Sequence, residues 1–354
     1  MADQQILDYC LSGSRAKSLN VQRLAKSYIF YLEPDLVGKY VMGDKLGEGS
    51  YGKVKECLDS VSLQRRAVKI MKRKTLRRIP NGEQNVQREI QLLRRLKHKN
   101  VITLFEVYHN DEKGKIYMVM DYCVTGLQEM IDNAPEKKFP IWQAHKYFVQ
   151  LVDGLEYLHS RGVVHKDIKP GNLLLTADSS LKIIDFGVAE EVDVLLGTDE
   201  INNSQGSLVF QPPEVAGGAR TFPGFKVDVW SAGCTLYNIT SGKYPFPFEG
   251  QNMFRLIENI CSKPVVIPEE LDPVLSQLLQ GMLTKDPIQR MSLLSVKTHN
   301  WCRKKHVRTS EEVPIGGHDS RHSISILPYL RCHHYSEEDF QSEDEFFTEH
   351  QLNG

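Results

Sequence analysis

"VVHKDIKPGNLLL", residues Val163 to Leu175, sets a dense polar loop between two apolar runs. His165, Lys166, Asp167 and Lys169 precede a Pro-Gly-Asn turn, and three leucines follow it. On its own this is an ordinary polar turn before a buried strand. Chemistry gives it a second reading. Asp167 can accept or orient a hydroxyl proton, Asn172 can offer an oxygen to a metal ion, and Lys169 can neutralise charge on a transferring phosphoryl group. Such chemistry is mostly positioning and electrostatics, which demands many polar groups in one short loop.

The neighbouring stretches extend that reading. Asp185-Phe186-Gly187 follows the apolar run "LKII", 13 residues after Asn172. An aspartate at a strand end can ligate Mg²⁺, Gly187 permits a backbone flip, and Phe186 is expected to pack beneath. Upstream, Gly47-x-Gly49-x-x-Gly52-x-Val54 lies in "YVMGDKLGEGSYGKVKECLDS", which alternates like strand, turn, strand. Glycines there let backbone approach phosphate. The same spacing also suits a plain glycine-rich hairpin. A Rossmann fingerprint would open a helix and place an acid ~20 residues on. Here a strand follows, and Met71 to Lys74 occupy that later position. Ala67-Val68-Lys69-Ile70 puts an ammonium in an apolar strand, with Glu89 on the next predicted helix as its plausible partner. A solvent-facing edge lysine is the alternative. Further on, Glu214 and Arg290 are candidates for a buried ion pair, and Asp228 for a tie to the loop of His165. His165 reads as a backbone tether rather than an acid or base.

The chain has 354 residues, a net charge of −1 and 41% apolar residues, which suits a soluble globular protein of one bilobed or two separate domains. Balanced charge argues against a globally basic nucleic-acid binder. The seven cysteines are scattered without a CxxC pair and read as reduced thiols. No signal peptide, no membrane-spanning run of ~20 apolar residues and no CaaX prenylation signal is expected. "CRKKH" and "RCHH" fit no standard zinc spacing.

Residues 1–39 read as an extension, helical around Val21 to Leu32. Strands are expected over "RRAVKIM", "NVITLFEVYH" and "KIYMVMDYC", with one helix over "EQNVQREIQLLRRLKH". After Cys123 helices dominate. "QAHKYFVQLVDGLEYLHSRG" stripes Ala144, Phe148, Leu151, Leu155 and Leu158 and stops at Gly162. Later helices are expected over "VDVWSAGCTLYNITSG", "NMFRLIENI" and "LDPVLSQLLQGMLT". Residues 335–354 carry seven acidic residues and neither Lys nor Arg, as a solvated tail does. The segment Arg65 to Lys99 holds thirteen Lys/Arg against Glu83 and Glu89. It reads as a solvated face, or as a surface for an acidic partner or a membrane.

Gly loop, Val-x-Lys, helix Glu, His-x-Asp-x-Lys-x-x-Asn, Asp-Phe-Gly, Pro-Pro-Glu, Asp-x-Trp-Ser-x-Gly and late Arg, in that order, resemble the eukaryotic protein kinases over about Tyr40 to Lys304. The resemblance implies an α+β bilobed fold, with an antiparallel β-sheet N-lobe (40–122) carrying one main helix, a mostly helical C-lobe (123–304) and a tail (305–354). It implies ATP and Mg²⁺ or Mn²⁺ as cofactors. It places ATP against Leu46, Gly47, Glu48, Gly49, Ser50, Tyr51, Gly52, Lys53, Val54, Ala67, Lys69 and Glu89, and against a hinge of Met120, Asp121, Tyr122 and Cys123. Asp167, Lys169 and Lys69 become the catalytic set, and Asn172 and Asp185 the metal ligands. His165, Phe186, Gly187, Glu214, Asp228 and Arg290 become architectural. All of Lys69, Glu89, Asp167, Asn172 and Asp185 are present, which separates an active kinase from a pseudokinase scaffold.

"LGEGSYGKVKE", "RRIPNGE", "EIQLLRRL", "HKNV", "YMVMDYC", "HKDIKPGNLLL", "VFQPPE" and "GFKVD" resemble more narrowly the liver kinase B, or Peutz–Jeghers tumour-suppressor, subfamily of serine/threonine kinases. That implies action on the activation-loop threonine of AMP-activated protein kinase and its relatives, in energy and polarity signalling. It also implies a pseudokinase adaptor, an armadillo-like Mo25-type scaffold, and a place in the cytoplasm and the nucleus. Phe186 stands where the subfamily often has leucine, and Pro212 replaces the usual alanine before Pro-Glu. The subfamily's basic nuclear-import run and prenyl cysteine are not evident. Lys166 stands where arginine would fork onto a phosphorylated loop, so activation is expected to depend on a bound partner more than on phosphate at Thr198, Ser204 or Ser207.

Overall fold

The computed structural model describes residues 36–49, 52–193, 197–246 and 252–315. The expected helix at 21–32, Ser50, Tyr51 and the acidic segment 335–354 lie outside them. The chain divides into two compact units, one reaching Ile70 and one running Met71–Gly317.

The described residues of the first unit are mostly strand. β1 (Leu36–Val37), β2 (Tyr40–Gly49), β3 (Gly52–Asp59) and β4 (Arg65–Lys72) lie side by side in chain order. The β2–β3 register pairs Gly47 with Val54 and Gly49 with Gly52, so the glycines converge on one hairpin end. Tyr40, Val41, Met42, Cys57, Leu58 and Val68 are buried and supply its core. Asp59 closes the β3–β4 turn by accepting the Val61 and Ser62 N–H groups at 3.0 and 3.2 Å.

In the second unit α1 (Arg73–Leu76) is followed by α2 (Gly82–Arg95), whose Val86, Glu89, Ile90 and Leu93 face inward. β5 (Leu104–Asn110) and β6 (Lys115–Asp121) form an antiparallel pair. Sequence reading extends the first of these strands back to residue 100. The structure starts it at Leu104, because residues 100–102 are already engaged: Asn100 O accepts from Ile183 N at 2.9 Å and Ile102 N donates to Ile183 O at 3.0 Å.

β7 (Thr125–Gly126), α3 (Leu127–Asn133) and α4 (Ile141–Ser160) follow. The apolar stripe of α4 is buried, and Gly162 ends it at φ 70°. β8 (Val163–Val164), β9 (Leu173–Leu175), β10 (Leu181–Ile183), β11 (Glu190–Glu191), β12 (Glu200–Ile201), α5 (Pro213–Ala216) and β13 (Phe222–Pro223) carry the loops of interest. α6 (Gly224–Ser241) is buried along most of its length and stops at Gly242 in the left-handed conformation. α7 (Met253–Ser262) and α8 (Pro273–Met282) start at Asn252 and Asp272, whose side chains accept the first free N–H groups. α9 (Leu293–Thr298) and α10 (Asn300–Arg303) close the described chain.

Phe148, Leu155, Leu158, Trp230, Leu275, Leu278 and Met282 form the centre of this core. Each such side chain contributes about 1.5–3 kcal/mol through burial. Gly154 lets α4 lie directly on β10, since a Cβ there would come 2.7 Å from Ile183 Cδ1. No helix among the described residues is long and apolar enough to cross a membrane.

Candidate active site

The three leucines of the opening stretch are strand β9, which pairs antiparallel with β10 on one side and β7 on the other. That hairpin turns a separation of 13 residues into adjacency. Leu173 faces Ile183, and Ile184 N donates to Asn172 O at 3.0 Å. Asn172 and Asp185 therefore stand side by side at one end of the small sheet. The hinge segment joins the same sheet, because Val124 N donates to Leu175 O at 2.8 Å.

Within the loop the side chains of His165, Lys166, Asp167, Lys169 and Asn172 each make at least one hydrogen bond. Asp167 Oδ1 accepts from Ser207 N at 2.9 Å. Asp167 Oδ2 accepts from Lys169 Nζ and from Asn172 Nδ2, each at 2.8 Å. Lys169 Nζ also reaches Ser207 Oγ at 2.6 Å. Burial opposes the Asp167 charge, but hydrogen bonds from Lys169 and Ser207 outweigh it and hold the carboxyl below its ordinary value. Ser207 is the residue that sequence reading missed as a site member. It appeared there only as a phosphate acceptor, and no local pattern tells that residue 207 meets residue 167.

The loop is fixed from behind. Asp228, fully buried on α6, accepts the N–H groups of His165 and Lys166 at 2.9 Å each and His159 Nε2 at 2.9 Å. Burial opposes its charge; the hydrogen bond and charge of His159, with His165 nearby, outweigh that and lower its pKa. His165 Nδ1 accepts from Asp167 N at 3.3 Å, so Nε2 carries the proton that binds Ile184 O at 3.0 Å. The Phe186 ring meets His165 edge-on at 5.0 Å. Lys166 and Asp185 both hold positive φ, 67° and 64°, a conformation that costs a non-glycine residue about 1–3 kcal/mol. Lys166 is 4% exposed, and its ammonium pairs with Glu190 at 2.8 Å. Further off, Arg290 forks onto both Glu214 oxygens at 2.7 and 2.9 Å.

The donor set fits a divalent cation. Asn172 spends its amide nitrogen on Asp167, leaving the carbonyl oxygen as its ligand atom, and the Asp185 carboxylate is exposed. Both are hard oxygen donors of the kind Mg²⁺ takes while keeping further positions for phosphate and water. Described by itself, the glycine hairpin fits a nucleotide in its own way. Among the described residues, apart from its chain neighbours, a Cβ at Gly47 would meet no atom within 4 Å, and one at Gly49 only Gly52 O at 3.8 Å. Packing against the described residues does not require these glycines, and open space over the backbone suits a phosphate. Leu46, Gly47, Gly52 and Val54 are half-buried beside it, and Glu48 and Lys53 are exposed. Ala67 is buried on β4 and Lys69 half-buried.

In the second unit Glu89 is buried on α2, and Met120, Asp121, Tyr122 and Cys123 are half-buried. The Asp121 carboxylate is taken up by Lys182 at 3.0 Å and Thr103 N at 3.0 Å. Burial pushes the Cys123 thiol up to about 12.

Similarity to known proteins agrees with this geometry. The profile of the protein kinase domain matches residues 40–302. Serine/threonine-protein kinase STK11 of Gallus gallus is 60% identical over 309 residues, covering 86% of this chain and 70% of its own length. STK11 of Homo sapiens is 59% identical over 317 residues, with 88% and 73% covered. Serine/threonine-protein kinase par-4 of Caenorhabditis elegans is 45% identical over 271 residues, 76% of this chain and 44% of its own. The matched domain brings with it the bilobed α+β fold and the use of ATP with a divalent metal. The chain belongs to the protein kinase family, as a serine/threonine kinase of the STK11, or liver kinase B, group.

Proposed function

We propose that this kinase phosphorylates the activation-loop threonine of AMP-activated protein kinase and related kinases, using Mg-ATP, in complex with a pseudokinase adaptor and a Mo25-type armadillo-like scaffold. The observation that carries the substrate class is the 58–61% identity to STK11 proteins across most of the chain. Asp167 orients the acceptor hydroxyl and takes its proton late in the transfer. Its lowered pKa keeps it ionised for that role at neutral pH. Lys169, 2.8 Å from Asp167, neutralises charge on the phosphoryl group as it moves. Lys69 holds the α- and β-phosphates. Asn172 Oδ1 and the Asp185 carboxylate would hold the metal ion, which would supply positive charge to offset that of the phosphates.

Partner dependence is supported by Lys166. Its ammonium is spent on Glu190 and on Asn203 O at 3.4 Å, so no free cation waits at this position for a loop phosphate. A partner holding the loop would then supply the ordering that phosphate supplies elsewhere.

The test is phosphotransfer to an activation-loop peptide of AMP-activated protein kinase, with and without adaptor and scaffold, comparing wild type with Asp185→Ala. Transfer by wild type that rises with the partners and vanishes in Asp185→Ala is expected. Transfer to generic peptides but not to this one would overturn the substrate assignment.

A further inference from the structure

The basic run between Arg65 and Lys99 is not used by the chemistry above. Part of it lines a cavity of about 580 Å³ on the second unit. Lys72, Arg73, Lys74 and Arg77 come from the end of β4 and from α1 with the residue after it; Lys113 comes from the β5–β6 turn and Lys115 from the first position of β6. The two segments are joined by Arg73 N donating to Gly114 O at 2.9 Å. Gly114 adopts φ 57°, and a Cβ there would meet none of the described residues beyond its chain neighbours within 4 Å, so the turn is open on that side.

Charge in this cavity is unbalanced. Asp111, the one acidic lining residue among those described, is already paired with Arg73 at 3.0 Å, and Arg77 pairs with Glu83 at 3.0 Å. Among the described residues, Lys72, Lys74, Lys113 and Lys115 have no carboxylate within 4.0 Å. Arg73 Nε is buried with no hydrogen-bond partner. Four unpaired ammonium groups around one concavity repel each other, and an unsatisfied buried donor costs about 1–3 kcal/mol. A solvated lysine face would spread its charges along a convex helix. Here the residues that carry them border, from two segments, a space of the size that small ligands occupy.

We propose that this cavity binds a ligand carrying two or more clustered phosphates, as on a polyphosphorylated inositol ring. A single phosphate would leave most of the ammonium groups unmatched, whereas adjacent phosphates match several at once. The same ring chemistry occurs free in solution and as a lipid headgroup, and the experiment separates the two sources.

The full chain is titrated with inositol hexakisphosphate by calorimetry and sedimented with phosphatidylcholine vesicles containing phosphatidylinositol bisphosphate. Phosphatidylserine vesicles and polyglutamate serve as charge controls. Binding to at least one clustered-phosphate probe, tighter than to either control, is expected. Binding to the soluble probe alone assigns a soluble ligand; binding to the vesicles alone assigns a headgroup. The combined change Lys74→Ala, Lys113→Ala and Lys115→Ala should weaken binding about 100-fold, at roughly fivefold per ammonium, while arginine at the same positions retains it. These side chains lie outside the catalytic loop, so phosphotransfer activity reports intact folding of the variants. Should the alanine variant lose activity, the charge reversal Lys113→Glu alone is used instead. The proposal fails if neither probe binds, if polyglutamate binds equally well, or if the folded variants bind like wild type.

Discussion

The Lys166 ammonium and the Glu190 carboxylate meet at 2.8 Å, with the lysine side chain almost wholly shielded from water. Removing one partner of such a pair strands the other. Glu190→Ala should destabilise the fold by about 2 kcal/mol, below the value for a fully enclosed pair because Glu190 is partly exposed. Lys166→Met combined with Glu190→Leu should recover much of that loss. Urea denaturation of the four proteins in the cycle measures the coupling. With Lys166 occupied, Thr198→Ala and Ser204→Ala should each leave the activity of the partner-bound kinase within about twofold.

Ser207 should behave differently from those two residues. Its N–H holds Asp167 and its hydroxyl holds Lys169. Ser207→Ala should lower kcat about tenfold with little change in the KM for ATP, and Ser207→Thr should restore it. Equal activity of the alanine variant would remove Ser207 from the positioning set.

Arg290 is 1% exposed, forks onto Glu214, donates to the carbonyls of Thr284, Lys226 and Lys285, and lies over the Trp230 ring at 4.9 Å. Arg290→Ala removes the donors to Glu214 and to three carbonyls, leaves the Glu214 carboxylate without its ion-pair partner, and should cost about 3–5 kcal/mol. Arg290→Lys keeps the charge without the fork and should recover only part of this. A midpoint in thermal unfolding unchanged by either substitution would contradict this account.

Asp228 predicts how stability follows pH. Its folded pKa lies below the unfolded one, so its contribution is fully present above the ordinary carboxylate value. It is lost as pH falls through the lowered folded value. Asp228→Asn should cost about 3 kcal/mol near neutrality, since an amide nitrogen then faces backbone N–H donors. It should also flatten the decline in urea stability between about pH 5 and pH 2. An equally steep decline in the variant would assign the acid transition to other carboxylates.

What could be read in the chain beforehand was whatever depends on short separations. The α4 stripe, the stop at Gly162, and the two paired strands that carry Gly47 and Val54 follow from period and turn chemistry, and the structure has them. The limits are equally physical. Strand β5 starts four residues later than its apolar run suggests, because Asn100 and Ile102 bond to Ile183, over 80 residues away. The contacts of Ser207 with Asp167 and of Lys166 with Glu190 depend on tertiary return of the chain, which no local pattern encodes. The basic run was legible as charge, but not its concavity, which needs Lys113 and Lys115 folded back onto α1.

Gly154 acts as a thickness gauge. At that position helix α4 touches strand β10 through bare backbone, and Ile183, the residue it touches, is two positions before Asp185. The depth at which Asp185 is presented is therefore set from behind, by the absence of a methyl group on a helix that takes no part in the chemistry. Gly154→Ala should push Ile183 outward by some tenths of an ångström and raise the metal concentration needed for half-maximal activity, with the fold otherwise retained.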